Sequence, residues 1–264
     1  MPLEFIPLFS GSSGNSIYIG NGRTSILIDA GVSAQNIKKA LAAVGKDIRS
    51  LNAILVTHEH TDHIRSVGTL SRNYDLPVYA NEGTYIAMQN KIGDIRTKNT
   101  CIIEESNLYI NDLEVECFSV PHDAKDPVGY KVTYKGVSVA CVTDLGKLSD
   151  DITKRVSRCQ MVLLEANHDI EMLMSGRYPE RLKKRILGRK GHLSNEDAGR
   201  AAVEFAKRDV RGIILGHLSI HNNKSEIAYE EVFSALNGAG VKEKDMILEV
   251  AARSGSKRVF VIEP

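Results

Sequence analysis

The sequence predicts an α/β fold in which two β-sheets pack together and helices lie outside them. The chain has two halves, each with strands followed by helices, and such elements bury their apolar faces by packing in layers. Its 264 residues suffice for a sizeable core, and no repeat, low-complexity segment or linker interrupts them. We therefore expect a single domain covering residues 1–264.

The strands of the first half are predicted from short apolar runs between turn residues. The segment GSSGN at 11–15 predicts a tight loop, and the Asn-Gly pair at 21–22 predicts a hairpin turn. Ser33 is suited to begin a helix that continues to Val44. Strands are predicted at 4–9, 16–19, 25–28, 53–56 and 77–80, and further helices at 66–73 and from residue 82.

The second half begins with strands rich in β-branched and aromatic residues and then alternates helices with strands. Strands are predicted at 107–110, 113–120, 128–134, 137–142, 161–165, 212–215, 246–251 and 258–262. Helices are predicted at 179–188, 194–207 and 224–237.

The composition is that of a globular protein without a membrane-spanning segment. Hydrophobic residues make up 42% and charged residues 25% of the chain, and no apolar run has the length of a membrane span. The first residues lack the basic start and apolar core of a signal peptide. Cys101, Cys117, Cys141 and Cys159 include no C-x-x-C pair, so we interpret them as reduced thiols. We therefore expect a cytoplasmic protein with no membrane partner.

Positive charge is concentrated in one segment, although the net charge of the chain is only +1. Residues 176–192 contain seven Lys or Arg and one acidic residue. A basic segment on a nearly neutral protein indicates a localised anionic partner. The alternative is a solvated helix face in which Leu182 and Ile186, four residues apart, face the core.

The six residues HEHTDH at 58–63 carry the strongest functional signal in the chain. They place three imidazoles and an aspartate directly after the apolar stretch 52–56. Imidazole nitrogen and carboxylate oxygen are the ligands that zinc and similar divalent metals prefer. One metal cannot easily use all four groups from so short a segment, whereas two adjacent metals can. Two adjacent metals indicate hydrolysis.

Acidic or imidazole side chains follow the ends of six predicted strands. These residues are Asp29, His58, His122, Asp144, Glu165 and His217. If the strands are aligned, the side chains converge on one edge of the fold, where active sites commonly lie. A single histidine or aspartate at a strand end is more often a hydrogen-bonding or turn residue. The 58–63 run makes His122, Asp144 and His217 expected partners, because two metals need further ligands.

These residues and their order resemble the motifs of the metallo-β-lactamase-fold hydrolases. The resemblance rests on HxHxDH at 58–63, Asp29 in LIDAG, His122 in PHD, Asp144 in VTD and His217 in LGHLS. It implies a four-layer αββα sandwich that binds two divalent metal ions, zinc or manganese. It further implies that His58, His60 and His122 hold one metal, that Asp62, His63 and His217 hold the other, that Asp144 bridges both and that Asp29 lies behind the ligands.

Two further segments, LEANH and GHLS, resemble the His-Glu-Ala-Thr and Gly-His-Ser/Thr segments of tRNase Z-type nucleases. The match departs at Leu164 and Asn167, where those nucleases have histidine and threonine. A fuller resemblance, which includes FSGSSGNS and EANHD, is to the YycJ/WalJ group of bacterial exonucleases. It implies that Glu165 and His192 form a pair that delivers a proton to the leaving group.

Several side chains are candidates for binding the substrate. They are Lys183, Lys184 and Arg185 in the basic segment, Ser12, Ser13 and Asn15 in the 11–15 loop, and His168. The basic residues are suited to hold a phosphate backbone. The loop lacks the P-loop pattern, so its polar side chains either donate to a phosphate or close a turn.

The sequence predicts a metal-dependent phosphodiesterase acting on nucleic acid. The activity that it favours is that of a DNA exonuclease. Two metals activate a water and stabilise the attacking and leaving oxygens, with Asp62 among the catalytic residues. A phosphodiester releases a poor leaving group, so the Glu165/His192 acid matters there. The alternatives are an ester, thioester or lactone hydrolase on the same metal centre and a metal-stabilised binding protein. The native metal, DNA against RNA, the direction of digestion and the oligomeric state stay open.

Overall fold

The strands of the chain form two mixed β-sheets, and helices flank them. The computed structural model describes residues 1–264. The chain divides into two compact units. The first comprises Met1–Cys117, Ala124–Val137 and Ala252–Pro264, and the second comprises Phe118–Asp123 and Ser138–Ala251. The predicted α/β architecture of two sheets with helices is confirmed, while the single domain stays a prediction.

The elements follow one another in the order that the two-half pattern of the sequence predicts. The strands are β1 (Leu3–Phe9), β2 (Ser16–Gly20), β3 (Ser25–Ile28), β4 (Ala53–Leu55), β5 (Val78–Ala80), β6 (Thr100–Ile102), β7 (Asn107–Ile110), β8 (Leu113–Ser119), β9 (Val128–Tyr134), β10 (Val137–Val142), β11 (Met161–Glu165), β12 (Gly212–Gly216), β13 (Ile247–Val250) and β14 (Phe260–Ile262). The helices are α1 (Ala34–Ala43), α2 (Thr61–Ile64), α3 (Val67–Tyr74), α4 (Glu82–Ile92), α5 (Asp150–Arg155), α6 (Ile170–Ser175), α7 (Glu180–Ile186), α8 (Asn195–Ala206) and α9 (Ser225–Gly238).

The sheet of the first unit has the strand order β14-β1-β2-β3-β4-β5-β6. Strands β14 to β3 pair antiparallel, whereas β3 to β6 pair parallel. Parallel strands bring their carboxyl ends to the same edge, where ligands commonly bind. The backbone of Asp29 follows this rule, because its N–H donates to the carbonyl oxygen of Leu55 at 2.8 Å.

Helix α1 begins where the sequence predicts. The Ser33 side chain accepts a hydrogen bond from the backbone N–H of Asn36 at 3.3 Å and satisfies one of the unpaired amides at the helix start. Ile37 and Leu41 lie four residues apart and are completely buried in the core of the first unit. The apolar face of α1 therefore covers the first sheet.

The second unit is built on parallel strands in the order β13-β12-β11-β10. Phe205 of α8 and Val232 of α9 join Leu164 and Leu215 of the strands in one apolar core. Strands buried in this way read as continuous apolar runs, which explains why the sequence pattern predicts β11 and β12.

The register of β11 and β12 places two functional candidates side by side. Glu165, the last residue of β11, pairs with Gly216, the last residue of β12. His217 is the next residue along the chain. Parallel pairing therefore brings a carboxylate and an imidazole together although 52 positions separate them in the sequence.

Four short elements, β6, α2, α5 and α6, lie where the sequence pattern predicts no helix or strand. Each has at most six residues. Segments of this length do not show a hydrophobic period that distinguishes them from loops. The longer helices agree with the predicted ranges, with differences at their ends.

None of the nine helices combines the length and the apolar composition that crossing a membrane requires. The four cysteines are free thiols. Cys117, Cys141 and Cys159 are buried, and Cys101 is half-buried.

Candidate functional site

Asp29 stands directly after β3 and is the centre of a hydrogen-bond network in the first unit. Its side chain accepts hydrogen bonds from the N–H and the Oγ1 of Thr57, both at 2.8 Å, and from Nδ1 of His63 at 2.7 Å. Only 1% of Asp29 is exposed. Because this carboxylate holds the Nδ1 proton, Nε2 is the nitrogen of His63 that can bind a metal.

Thr57 belongs to this network but carries no metal-ligand signal in the sequence. Its Oγ1 lies 3.0 Å from Nδ1 of His58 and 3.2 Å from Nδ1 of His63. A search for acids and imidazoles at strand ends passes over a hydroxyl. Its place after β4, directly before His58, is the signal that could have marked it.

The 58–63 run folds so that its imidazoles and its aspartate gather in one place. Nε2 of His58 lies 3.1 Å from Nδ1 of His60, and the ring centroids of His58 and His63 are 4.1 Å apart. Oδ2 of Asp62 lies 3.6 Å from Nε2 of His63. Helix α2 begins directly after His60 and turns the end of the run back toward its beginning.

The 11–15 loop packs against the histidine run through Asn15. The N–H of Asn15 donates to the carbonyl oxygen of Asp62 at 2.8 Å, and its Oδ1 accepts a backbone amide of the loop at 2.9 Å. Nδ2 of Asn15 lies 3.0 Å from Nε2 of His63. Asn15 therefore closes the loop, whereas Ser12 and Ser13 are exposed at its tip.

Glu165 joins two histidines of the second unit through one carboxylate oxygen. Its Oε1 lies 2.8 Å from Nδ1 of His192 and 2.7 Å from Nδ1 of His217. Its Oε2 accepts the backbone amides of Leu145 and Leu193 at 3.0 and 3.1 Å. An ionised carboxylate only accepts, so both histidines donate through Nδ1. Nε2 is then the atom of each ring that can exchange a proton or bind a metal.

The carboxyl group of Glu165 is completely buried. Burial by itself raises its pKa, but the charge and hydrogen bond of His192, together with those of His217, outweigh burial. They hold the pKa of Glu165 well below its usual range. Glu165 is therefore ionised, and its contacts with two imidazoles and two amides make it a group that orients histidines rather than a metal ligand.

Asp144 lies among the histidines of the second unit. Its Oδ1 is 3.4 Å from Nδ1 of His217, 3.8 Å from Nδ1 of His192 and 3.9 Å from Nε2 of His122. Nδ1 of His122 lies 3.1 Å from the carbonyl oxygen of Gly191 and donates to it. The Nε2 of His122 therefore faces Asp144.

Asp29, Asp144 and His217 share an unusual backbone conformation. Their φ angles are +62°, +57° and +55°, in the left-handed region that favours glycine. Each stands one or two residues after a strand. Such conformations cost about 1–3 kcal/mol each and concentrate at functional sites. Three strand ends thus turn in the same way to direct a polar side chain.

The candidates in the basic segment differ in exposure. Lys183 is only 7% exposed, and its ammonium donates to the carbonyl oxygen of Met174 at 2.7 Å. This burial argues against a contact between Lys183 and a phosphate. Lys184 is exposed, whereas Arg185 is exposed but engaged with the carboxylate of Asp123.

The outer side of the 176–192 segment nevertheless forms a basic face. Its exposed members are Arg177, Arg181, Lys184, Arg185, Arg189 and Lys190. His192 follows directly, and 15% of its side chain is exposed. The basic face therefore leads to an imidazole that solvent can reach.

His168 is almost completely buried in the second unit, where its backbone forms a β-bridge with Ser194. Neither of its ring nitrogens has a hydrogen-bond partner. Burial lowers the pKa of His168 to about 4, so the ring is neutral at pH 7. His168 therefore lies close enough to Glu165 and His192 to interact with their charges, but neither of its ring nitrogens makes a hydrogen bond.

The second unit gathers acidic and imidazole groups of the kind that bind divalent metal ions, and Glu165 orients two of the histidines among them. In the second unit the ligand atoms of Asp144, Glu165, His192 and His217 all lie within 4.8 Å of one another. Nitrogen and oxygen donors of this kind suit zinc and manganese. Burial also lowers the pKa of His122, which favours the neutral ring that metals bind.

Comparison with known proteins places this fold and these donor groups in a family. The family model described as the beta-lactamase superfamily domain matches residues 24–217. Exodeoxyribonuclease YycJ of Bacillus anthracis is 39% identical over 264 residues, which cover 99% of this chain and 100% of that protein. Exodeoxyribonuclease WalJ of Streptococcus pneumoniae is 41% identical over 232 residues, which cover 87% of this chain and 86% of that protein.

Two solved structures share the fold. The metallo-β-lactamase fold protein YhfI of Bacillus subtilis has a TM-score of 0.72 at 17% identity, covering 99% of this chain and 100% of that chain. The short form of human tRNase Z has a TM-score of 0.64 at 16% identity, covering 99% of this chain and 100% of that chain. At these identities the likeness shows the fold alone, and it confirms the predicted sandwich.

The fold and the donor groups define a metal-dependent hydrolase, as the sequence predicts. The chain belongs to the metallo-β-lactamase superfamily and, within it, to the group that contains YycJ and WalJ. The resemblance found in the motifs is confirmed. The roles of individual ligands and of the Glu165/His192 pair stay predictions.

Proposed function

We propose that this chain is a nuclease that hydrolyses the phosphodiester bonds of nucleic acid, and that it digests a DNA strand from an end. Two relatives named exodeoxyribonuclease support the proposal. The observation that carries it is the 2.8 Å contact between Glu165 and His192 at the end of an exposed basic face. Both features suit a nuclease, since the first can protonate the leaving group and the second can contact the phosphate backbone.

We propose that the chain binds two divalent metals, as the family resemblance implies. His58, His60 and His122 would hold one metal, Asp62, His63 and His217 would hold the other, and Asp144 would be a ligand of both. Nδ1 of His63, His122 and His217 each contacts an oxygen, which leaves Nε2 as the ligand atom. When bound, such a metal pair supplies an activated water and stabilises charge on the phosphodiester oxygens.

His192 is the proposed general acid. Glu165 holds a proton on Nδ1 of His192, so Nε2 is the atom that carries the proton for the leaving oxygen. A phosphodiester releases an alkoxide, and proton donation to such a leaving group contributes about 10²–10⁴-fold. An ester with a good leaving group needs no acid of this kind, so the pair favours a phosphodiester substrate.

The basic face is proposed to bind the phosphate backbone. Arg181, Lys184 and Arg189 are exposed on it, whereas Lys183 is left out because its ammonium is buried. Backbone contacts of this kind release counterions and make binding steeply salt-dependent. Ser12 and Ser13, at the exposed tip of their loop, are proposed as further phosphate donors.

The test incubates the protein, loaded with Mn²⁺ or Zn²⁺, with end-labelled DNA and RNA strands and separates the products on a gel. Mononucleotides that accumulate from one end of DNA are the expected result and give the direction of digestion. Equal digestion of RNA would extend the substrate to both nucleic acids. No cleavage of either strand, together with turnover of a carboxylic ester, thioester or lactone, would favour the small-molecule hydrolase instead.

A further inference from the structure

We propose that Tyr178 and His221 form a stacking platform for a nucleobase of the strand being cut, an inference that rests on the proposed nuclease function and adds a base-binding part to it. The two rings come from different segments of the second unit, one before α7 and one in the loop after His217. Their centroids are 6.0 Å apart and their planes meet at 78°. A base that stacks on the face of one ring therefore has the other ring beside its edge.

The two segments that carry the rings pack closely where Gly176, two residues before Tyr178, meets the side chain of Asn222, the residue after His221. A Cβ atom on Gly176 would lie only 2.6 Å from Oδ1 of Asn222, so this close approach requires glycine. The carbonyl oxygen of Asn222 accepts a hydrogen bond from the N–H of Asp169 at 2.9 Å. These contacts therefore bring the two segments together close to the rings.

The same loop is tied to the proposed catalytic groups through Asn167, a residue that the motifs mark only as a departure. Nδ2 of Asn167 donates to the carbonyl oxygen of His217 at 2.9 Å, and the N–H of Ser219 donates to the carbonyl oxygen of Asn167 at 2.8 Å. Asn167 follows Glu165 by two positions. The loop that carries His221 is therefore anchored beside the strand that ends at Glu165.

The surroundings of the platform suit a nucleotide. His221 is exposed and Tyr178 is half-buried. Ile220, directly before His221, is 48% exposed, and Met174, four residues before Tyr178, is 49% exposed. Arg177, directly before Tyr178, begins the basic face. Proteins bind single strands in this way, with positive charge along the backbone and rings against the bases.

The test combines removal of a ring from the protein with removal of a base from the substrate. Tyr178→Ala, His221→Ala and the unchanged protein are compared on a complete DNA strand and on a strand with abasic residues at its three terminal positions. For the unchanged protein we expect KM to be about 5- to 150-fold higher on the abasic strand, the range for loss of one base–aromatic stack. On the complete strand, each Ala variant should show the same increase in KM. On the abasic strand the Ala variants should show no further increase, because loss of the ring and loss of the base remove the same interaction.

Controls separate stacking from a structural role of the rings. Tyr178→Phe and His221→Trp keep a ring and should restore a low KM on the complete strand. Tyr109→Ala removes a ring that is 69% exposed in the first unit and should leave every KM unchanged. An unchanged KM of the original protein on the abasic strand, or additive losses in the Ala variants, would overturn the platform alone. Failure of the original protein to cut any strand would overturn the proposed function and the platform with it.

Discussion

Oε1 of Glu165 lies 2.8 Å from Nδ1 of His192 and fixes the orientation of that imidazole. Glu165 is completely buried, whereas 15% of the His192 side chain is exposed. The pair thus connects a buried negative charge with a ring that a substrate can reach. This arrangement suits a general acid, because the carboxylate holds the ring while the ring exchanges protons.

We expect His192→Ala to lower kcat on a DNA strand by about 10²–10⁴-fold, the usual contribution of a positioned acid. Bis(nitrophenyl) phosphate releases a leaving group that needs no proton, so its turnover should fall far less. Steady-state rates on both substrates, with metal content measured on the same samples, check this expectation. Equal losses on both substrates would contradict proton donation by His192.

Asp29→Asn should weaken metal binding by about 10–100-fold, because it removes the charged acceptor of the His63 Nδ1 proton. Competition with a chelating dye measures the affinity directly and does not depend on activity. Asp47→Asn is the matched control, since Asp47 is an exposed residue of the same unit that pairs with Arg49. An unchanged affinity in Asp29→Asn would show that the network of Asp29 does not support a metal site.

Charge reversal of Arg181, Lys184 and Arg189 should weaken DNA binding and flatten its salt dependence. Each lost contact with a single strand reduces the slope of log K against log salt by about 0.7. Fluorescence anisotropy of the metal-free protein measures binding without cleavage. Reversal of Lys38 and Lys39, which are exposed on α1, is the control and should leave the slope unchanged. If the variant with three reversed charges kept the same slope as the Lys38/Lys39 control, the basic face would be a solvated helix face that does not contact DNA.

Lys183→Met should lower the free energy of unfolding by about 1 kcal/mol, because it removes the hydrogen bond that the buried Lys183 ammonium donates to the carbonyl oxygen of Met174. Urea denaturation measures this loss. Lys184→Met, at the exposed neighbouring position, should stay within about 0.5 kcal/mol of the original protein. If instead Lys183→Met kept full stability but lost DNA affinity, the ammonium would have to turn outward to the strand.

The buried His168 should make the protein less stable in acid. Its pKa is about 4 in the folded chain and about 6.5 when unfolded, so below pH 6.5 the unfolded chain binds more protons. Stability from this group is complete above pH 6.5 and falls by about 3 kcal/mol as the pH drops to 4. His168→Gln, which does not titrate, should show a correspondingly shallower loss in urea denaturation of metal-free protein. Parallel pH profiles for both proteins would contradict the neutral, buried state of His168.

The features that depend on the local pattern of apolar and capping residues could be predicted from the sequence. Helix α8 is predicted at 194–207 and runs over Asn195–Ala206, because the Ser194 side chain caps it and apolar residues recur along one face. The strand ends that carry Asp29 and Glu165 are likewise visible, since apolar runs stop there. Each of these features depends only on residues that are close to it in the sequence.

Other features depend on partners far along the chain and therefore escape local reasoning. Thr57 bonds Asp29 across 28 positions and Asn167 bonds His217 across 50, and strand pairing decides both contacts. Neither a hydroxyl nor an amide has the residue type that marks a ligand. Lys183 sits in a run of equally polar residues, and the run gives no indication of which lysine turns inward.

At the left-handed turns of Asp29, Asp144 and His217, the residue that suits the backbone differs from the residue that suits the site. At each of them the backbone alone favours glycine by about 1 kcal/mol or more, whereas any role in the reaction needs a side chain there. Replacement by glycine would therefore relax the backbone at each turn, but at Asp29 and His217 it would also remove buried hydrogen bonds to Thr57, His63 and Glu165, so the turn and the network have to be weighed together.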